Sequence, residues 1–209
     1  MPEPSTIERL LKAANSSTEG DTSVNLAKRI FLEQADCDAV FQLTRTRLLS
    51  IDEWNKSSSA TSYELFDAHG TALGSEPIAI GRFIRISLYG SGKPDWVRVL
   101  EIQDHPDEFV LTVKPSYDPT ERPADTSATS HFFGPEATNN FCVQRVGKTL
   151  AFYVIGLNEH QNTKFTDSLI ESARNAAVAN VGYYSGLQKT VWKEFCSNMI
   201  GSGKEEEAG

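Results

Sequence analysis

No stretch of this sequence approaches the ~20 consecutive apolar residues that cross a bilayer, and no basic patch followed by an apolar run stands between Met1 and Thr6. A membrane span is not expected, and the cytoplasm is the expected compartment. Cysteine is scarce. Cys37, Cys142 and Cys196 are far apart and odd in number, and no two are spaced as a redox or metal pair. That pattern excludes a disulfide framework and predicts three reduced, partly buried thiols. Positive charge is never concentrated, because no cluster of five or more Lys and Arg occurs. The net charge is −8, and the tail Lys204-Glu205-Glu206-Glu207 carries −2 of it. Such a field makes nucleic acid and anionic membrane surfaces poor partners.

Recognisable chemistry is equally sparse. Gly90-Ser91-Gly92-Lys93 is only superficially a phosphate loop, since Pro94 follows and a strand comes next; it reads as a hairpin turn. His69, His105, His131 and His160 show no metal-ligand spacing, so no metal site is expected. The Gly-x-Ser-x-Gly elbow of serine hydrolases is missing, and no cofactor is implied.

What the chain does have is ordinary globular composition over 209 residues, 39% hydrophobic and 23% charged, enough to bury a core. Ser5 and Glu8 have capping-box spacing ahead of the stripe Ile7, Leu10, Leu11 and Ala14. Residues 1–21 therefore read as a short helix and linker, 22–200 as one α+β domain, and 201–209 as a disordered acidic tail. Thr22 to Glu33 reads as a strand whose core face carries Val24, Leu26, Ile30 and Leu32. Two short helices follow over about 37–48 and 51–56, with Asp36 and Ser50 as expected N-caps. Strands are expected at Ser62–Phe66, across the alternating run Ile78 to Leu88, at Trp96–Ile102, at Glu108–Val113, and in a hairpin turning at Gly147-Lys148. Short connections between them argue for an antiparallel meander. Pro115 to Asn140 is a long irregular segment, with His131-Phe132-Phe133 pinning it to the core. Thr163 should cap a C-terminal helical segment that Gly182 and Gly186 interrupt and that ends with the stripe Val191, Trp192, Phe195 and Met199.

This order of elements resembles the helix-grip fold of START-like proteins, the group with polyketide-cyclase-like and lipid-transfer members. Leu26 to Glu33 resembles the opening strand, and Asp36 to Leu43 the acidic-then-apolar start of the first helix. Ile51 to Asn55 is similar to the tryptophan-bearing second helix, and Gly81 to Ile86 to a mid-sheet strand. The resemblance implies a curved antiparallel sheet of six or seven strands gripping a long C-terminal helical segment, with two short helices after the first strand.

Polar residues on apolar strand faces are the candidate site. Arg82 shares parity with Ile78, Ile80, Ile84 and Ile86; Arg98 shares it with Trp96, Leu100 and Ile102. A buried arginine needs a carboxylate, a route to the rim, or a ligand. As ligand-binding residues they would meet the polar end of a small, largely apolar or acidic ligand, with Trp54, Trp96, Phe152 and Tyr153 as cavity wall. Glu159 and His160 could do acid–base work if they faced that cavity. Three functions stay open: a ligand-binding module, a protein-interaction domain of the chaperone-cofactor kind, and an enzyme of the cyclase or hydrolase kind.

Overall fold

A computed structural model describes residues 3–17, 22–89, 93–121, 130–160 and 181–202, with backbone alone over 181–189. Seven antiparallel strands form one curled sheet: β1 (Thr22–Ile30), β2 (Thr61–Phe66), β3 (Phe83–Leu88), β4 (Asp95–Asp104), β5 (Glu108–Pro115), β6 (Thr138–Val146) and β7 (Thr149–Leu157). Their order is β1-β7-β6-β5-β4-β3-β2. Helices α2 (Gln34–Leu48) and α3 (Ile51–Ser57) follow β1, and α4 (Val181–Ile200) packs across β1 and β7. This is the helix-grip arrangement expected from the element order. Among the described residues, no helix is long and apolar enough to cross a membrane.

The hydrophobic cluster on the concave face explains the layers. Phe109, Leu111, Phe141, Val143, Phe152 and Val154 project from the sheet. They meet Cys37, Phe41 and Leu48 of α2, Trp54 of α3, and Phe195, Cys196 and Met199 of α4. The last carbonyls of α4, which have no partner within a helix, accept hydrogen bonds from Arg47 Nη1 (Met199 O, 2.8 Å) and Arg29 Nη1 (Ile200 O, 3.2 Å). Gly201 then leaves the helix at φ +68°, a conformation that favours glycine. Gly182 and Gly186, expected to interrupt this helix, lie inside it.

Helix α1 (Thr6–Ser16) keeps the predicted capping box, with Glu8 N–H donating to Ser5 Oγ and Ser5 N–H to the Glu8 carboxylate. It docks on the convex face, where Ile7 and Ala14 meet Val110, Cys142 and Ile155. Thr6 N–H donates to the buried Glu108 carboxylate at 2.9 Å, a negative group placed at a helix N-terminus.

Several local expectations are corrected. The inward face of β1 carries Asn25 and Ala27, with Phe31 just beyond the strand, whereas Val24, Leu26, Ile30 and Leu32 are exposed. Register decides this. Ala27 pairs with Phe152 and Leu26 with Tyr153, and Phe152 is locked in the concave core. The run Ile78 to Leu88 is half a strand, because Gly81 turns the chain at φ +85° and leaves Ile80 exposed. Glu33 rather than Asp36 is the N-cap of α2. Ser50 is the N-cap of α3 as expected, but its side chain makes no cap hydrogen bond, and its backbone bridges to Pro77. The three cysteines are free and fully buried. The expected Thr163 cap and the acidic tail from Lys204 lie outside the described residues.

Candidate functional site

A cavity of about 90 Å³ opens between the sheet and α4, at the end of the concave face where residues 130–133 fold back. Its apolar wall is aromatic. Trp54 sits 4.6 Å from Phe141 and 5.4 Å from Tyr63, centroid to centroid, and Trp192 sits 5.5 Å from Phe141. The Trp54 indole N–H is already used by Leu48 O at 3.2 Å, so this ring offers the cavity only its carbon face. Asn55 fixes α3 to β2 by exchanging two hydrogen bonds with the Tyr63 backbone, at 2.8 and 2.9 Å. Val97, Val113 and Ile86 supply the sheet side.

The polar groups gather where the segment after β5 returns. Ser130 N–H bonds to Ser116 O and Trp96 N–H to Ser130 O, both at 2.8 Å, which holds the segment against the strand edge. Phe132 N–H then donates to Asp95 Oδ1 and Phe133 N–H to His131 Nδ1, each at 2.9 Å. Accepting at Nδ1 leaves the ring proton of His131 on Nε2. Burial raises the Asp95 carboxyl above its ordinary pKa, with His131 pulling the other way. Burial lowers His131, opposed by Asp95. An acid and a base thus face one cavity, with Asn139 and the exposed Lys93 also on its lining. Such a set can hold rings by dispersion and fix one polar end by hydrogen bonds.

Glu159 lies just beyond this rim. Its carboxyl fills the space that a side chain on Gly156 would need, and Gly156 pairs with Ser23 on one side and Asn139 on the other. Burial raises its pKa, offset in part by the Ser23 hydroxyl. His160 anchors the same corner through its carbonyl, which accepts from Gly134 N–H at 2.9 Å.

Of the six residues expected to bind or wall in a ligand, Trp54 lines the cavity. Arg82 stands at the bend before β3, bound to Glu76 at 2.7 Å and to Pro77 O at 3.0 Å. Arg98 pairs with Phe83 on the convex face and stacks over its ring at 5.8 Å, so the two arginines do not share a region. Trp96 is buried in a convex cluster with Phe66, Phe83 and Tyr117; Tyr153 packs beside α1. Phe152 is concave core away from the cavity. Sequence reasoning missed Asp95 and Asn139 and read His131-Phe132-Phe133 as a pin alone. The available signal was a histidine between prolines and aromatics in a segment too long for a simple connection.

No protein-family model and no curated protein matches this chain. Solved structures do. A hypothetical protein of Helicobacter pylori is similar over 91% of this chain and 92% of its own, at TM-score 0.53 and 9% identity. Ara h 8.0201 is similar over 87% and 97%, at 0.41 and 11%. Major latex-like protein 151 of Panax ginseng is similar over 86% and 99%, at 0.42 and 13%. The likeness to the Helicobacter pylori protein is one of fold.

Proposed function

We propose that this protein binds a small, largely apolar ligand in the cavity between the curled sheet and α4. The observation that carries the reading is an aromatic-walled space whose lining also carries Asp95, His131, Asn139 and Lys93. The cytoplasm remains the proposed compartment, in keeping with three free, buried cysteines.

The test is thermal shift with a panel of apolar compounds, read beside tryptophan fluorescence, since Trp54 and Trp192 form the wall. A ligand that binds the folded state raises Tm with concentration. Val113→Leu, which adds a methylene to the wall, should weaken binding while leaving the fold intact. Absence of any stabilising compound, or binding indifferent to this substitution, would reject the cavity.

A second reading, as a protein-interaction domain, draws on the outer face of β1, where Val24, Leu26, Ile30 and Leu32 are exposed. Ile30→Lys with Leu32→Lys should then abolish partner capture and leave small-ligand binding unchanged.

A further inference from the structure

Residues 130–134 fold back at one end of the cavity, tied by backbone at both ends of the span and by side chains between. Ser130 N–H bonds to Ser116 O and Ser130 O accepts from Trp96 N–H, both at 2.8 Å, while Gly134 N–H bonds to His160 O at 2.9 Å. Those are amide groups and do not titrate. Between them Phe132 N–H donates to Asp95 Oδ1 and Phe133 N–H to His131 Nδ1, each at 2.9 Å. Both acceptors titrate, and Asp95, His131, Phe132 and Phe133 all line the cavity. The span is therefore fixed at its ends and fastened in the middle by groups that a proton changes.

Nδ1 accepts only in the neutral imidazole, because both ring nitrogens of the imidazolium are donors. A second proton on His131 sets an N–H against the Phe133 N–H. The residue is 5% exposed, so a charged ring reaches water only by leaving its place, and the backbone fastened to it moves too. Burial holds the ring neutral against two opposing pulls, Asp95 and the Phe133 backbone. The closed state therefore binds this proton less tightly than an open one does. Closure from this group is full above 6.5, the ordinary histidine value, and is lost as pH falls below it. Asp95 works the other way. Burial raises its carboxyl above 3.8, so its protonation favours the closed state at the acid end. The remaining ionisable groups on the lining are Lys93, ahead of β4, and Tyr63 of β2. From α3, β6 and α4 the lining takes Trp54, Asn139, Phe141, Val191 and Trp192, and none of these titrates.

We propose that the span from His131 to Phe133 is a proton-operated closure of the cavity, shut while the His131 ring is neutral and released when the ring takes a second proton. This rests on the ligand-binding reading and adds the regulation of that site. A bound compound is retained at neutral pH and let go in mildly acidic surroundings, with Ser130 and Gly134 as the fixed points about which the span moves.

The experiment follows amide hydrogen exchange of the full chain between about pH 7.5 and about pH 5.5, corrected for the intrinsic pH dependence of exchange. Protection of the Phe132 and Phe133 amides should fall about threefold to tenfold on acidification, the upper limit being about tenfold per pH unit for one proton. Leu111 and Val143, in the middle of the sheet, should keep their protection. His131→Asn offers Phe133 an acceptor of similar reach that gains no proton in this range, and should abolish the fall. Asp95→Asn keeps an acceptor for Phe132 and removes the opposing titration, and should enlarge it. Toluene, uncharged at every pH used, is the cavity probe. Its release, followed by stopped-flow tryptophan fluorescence, should accelerate on acidification in the wild type and not in His131→Asn. Flat protection in the wild type, a fall that survives His131→Asn, or a fall shared by Leu111 and Val143 overturns the proposal. So does toluene release that ignores pH, which leaves the cavity reading standing. If the amides respond as expected and neither toluene nor any compound of the apolar panel binds, the proton-operated movement stands and the ligand-binding reading falls.

Discussion

The two ends of the concave face are built from one sheet and differ in how they are closed. At one end Ala27, Phe152, Val143 and Phe109 are covered by α2 and α4, and Phe152 meets Phe195 at 6.2 Å. Helical side chains there fill the space, as close-packed interiors require. At the other end Asn139, Val113, Val97 and Ile86 are covered partly by residues 131–133, whose amides turn inward to bind Asp95 and His131. An irregular segment must satisfy its own backbone, and here it does so with side chains from within the site. The difference teaches where function can reside: helices contribute aromatic wall at both ends, and His131 and the amides that engage Asp95 come with the loop at one end only.

The largest effect should separate these ends. Phe152→Ala should cost about 3–5 kcal/mol, because a void opens between α4 and the sheet. Phe133→Ala removes the same atoms from a wall that already borders space, and should cost about 1–2 kcal/mol less. Urea denaturation of the two variants checks this, and equal losses would erase the distinction between a filled and an open end.

Next in size is Gly156. A methyl group there would occupy the position of the Glu159 carboxyl. Gly156→Ala should destabilise by about 1–3 kcal/mol. Combined with Glu159→Ala the loss should be less than additive, since the clash partner is gone. Strict additivity in the double-mutant cycle would show that Glu159 does not rest on Gly156.

A smaller effect concerns pH. Burial raises the pKa of Glu159 above 4.5, so the folded state holds its proton more tightly than the unfolded state does. Stability from this group is therefore full below about pH 4.5 and is lost as pH rises through the folded pKa. Glu159→Gln should be the more stable form at pH 8, and its advantage should vanish as pH falls toward 4.5. His131 acts in the opposite sense in both proteins, because its lowered pKa costs stability as pH falls below 6.5, so only the difference between the two profiles reports Glu159. A constant difference across the range would place the carboxyl in solvent.

The sequence made the architecture legible because strand and helix periods, capping boxes and short turns are local signals. Ser5 with Glu8, the strands over Trp96–Ile102 and Glu108–Val113, and the stripe Trp192, Phe195 and Met199 all appear where expected. The site was less legible, for a geometric reason. Parity tells which residues share a face but not which face is concave. In β1 the more apolar set, Val24, Leu26 and Ile30, lies outward, because register with Phe152 turns Ala27 in. In β3 and β4 the pairing of Ile84 with Val97 and of Phe83 with Arg98 sends Arg98 and Trp96 to the convex side. The cavity's polar set joins β4, β6 and the segment between β5 and β6, a convergence that no spacing in the chain reveals.

The smallest effect is expected for the arginines, and it sharpens the comparison by exclusion. Arg82 and Arg98 were candidates for the polar end of the cavity because each interrupts an apolar run. Arg82 instead holds Glu76 at 2.7 Å, with side-chain exposures of 27% and 52%, and an ion pair so open to water contributes about 0–1 kcal/mol. Arg98 is exposed over the Phe83 ring, a contact worth about 0.5–1 kcal/mol at such a site. Arg82→Ala and Arg98→Ala should each lose no more than about 1 kcal/mol by urea denaturation, and the loss from Arg82→Ala should shrink as salt is added. Neither should change the affinity for an apolar compound that binds in the cavity, because neither side chain lines it. If either substitution abolished ligand binding while the protein stayed folded, the polar end would belong to the arginines, and the segment from His131 to Phe133 would be only a closure for the core.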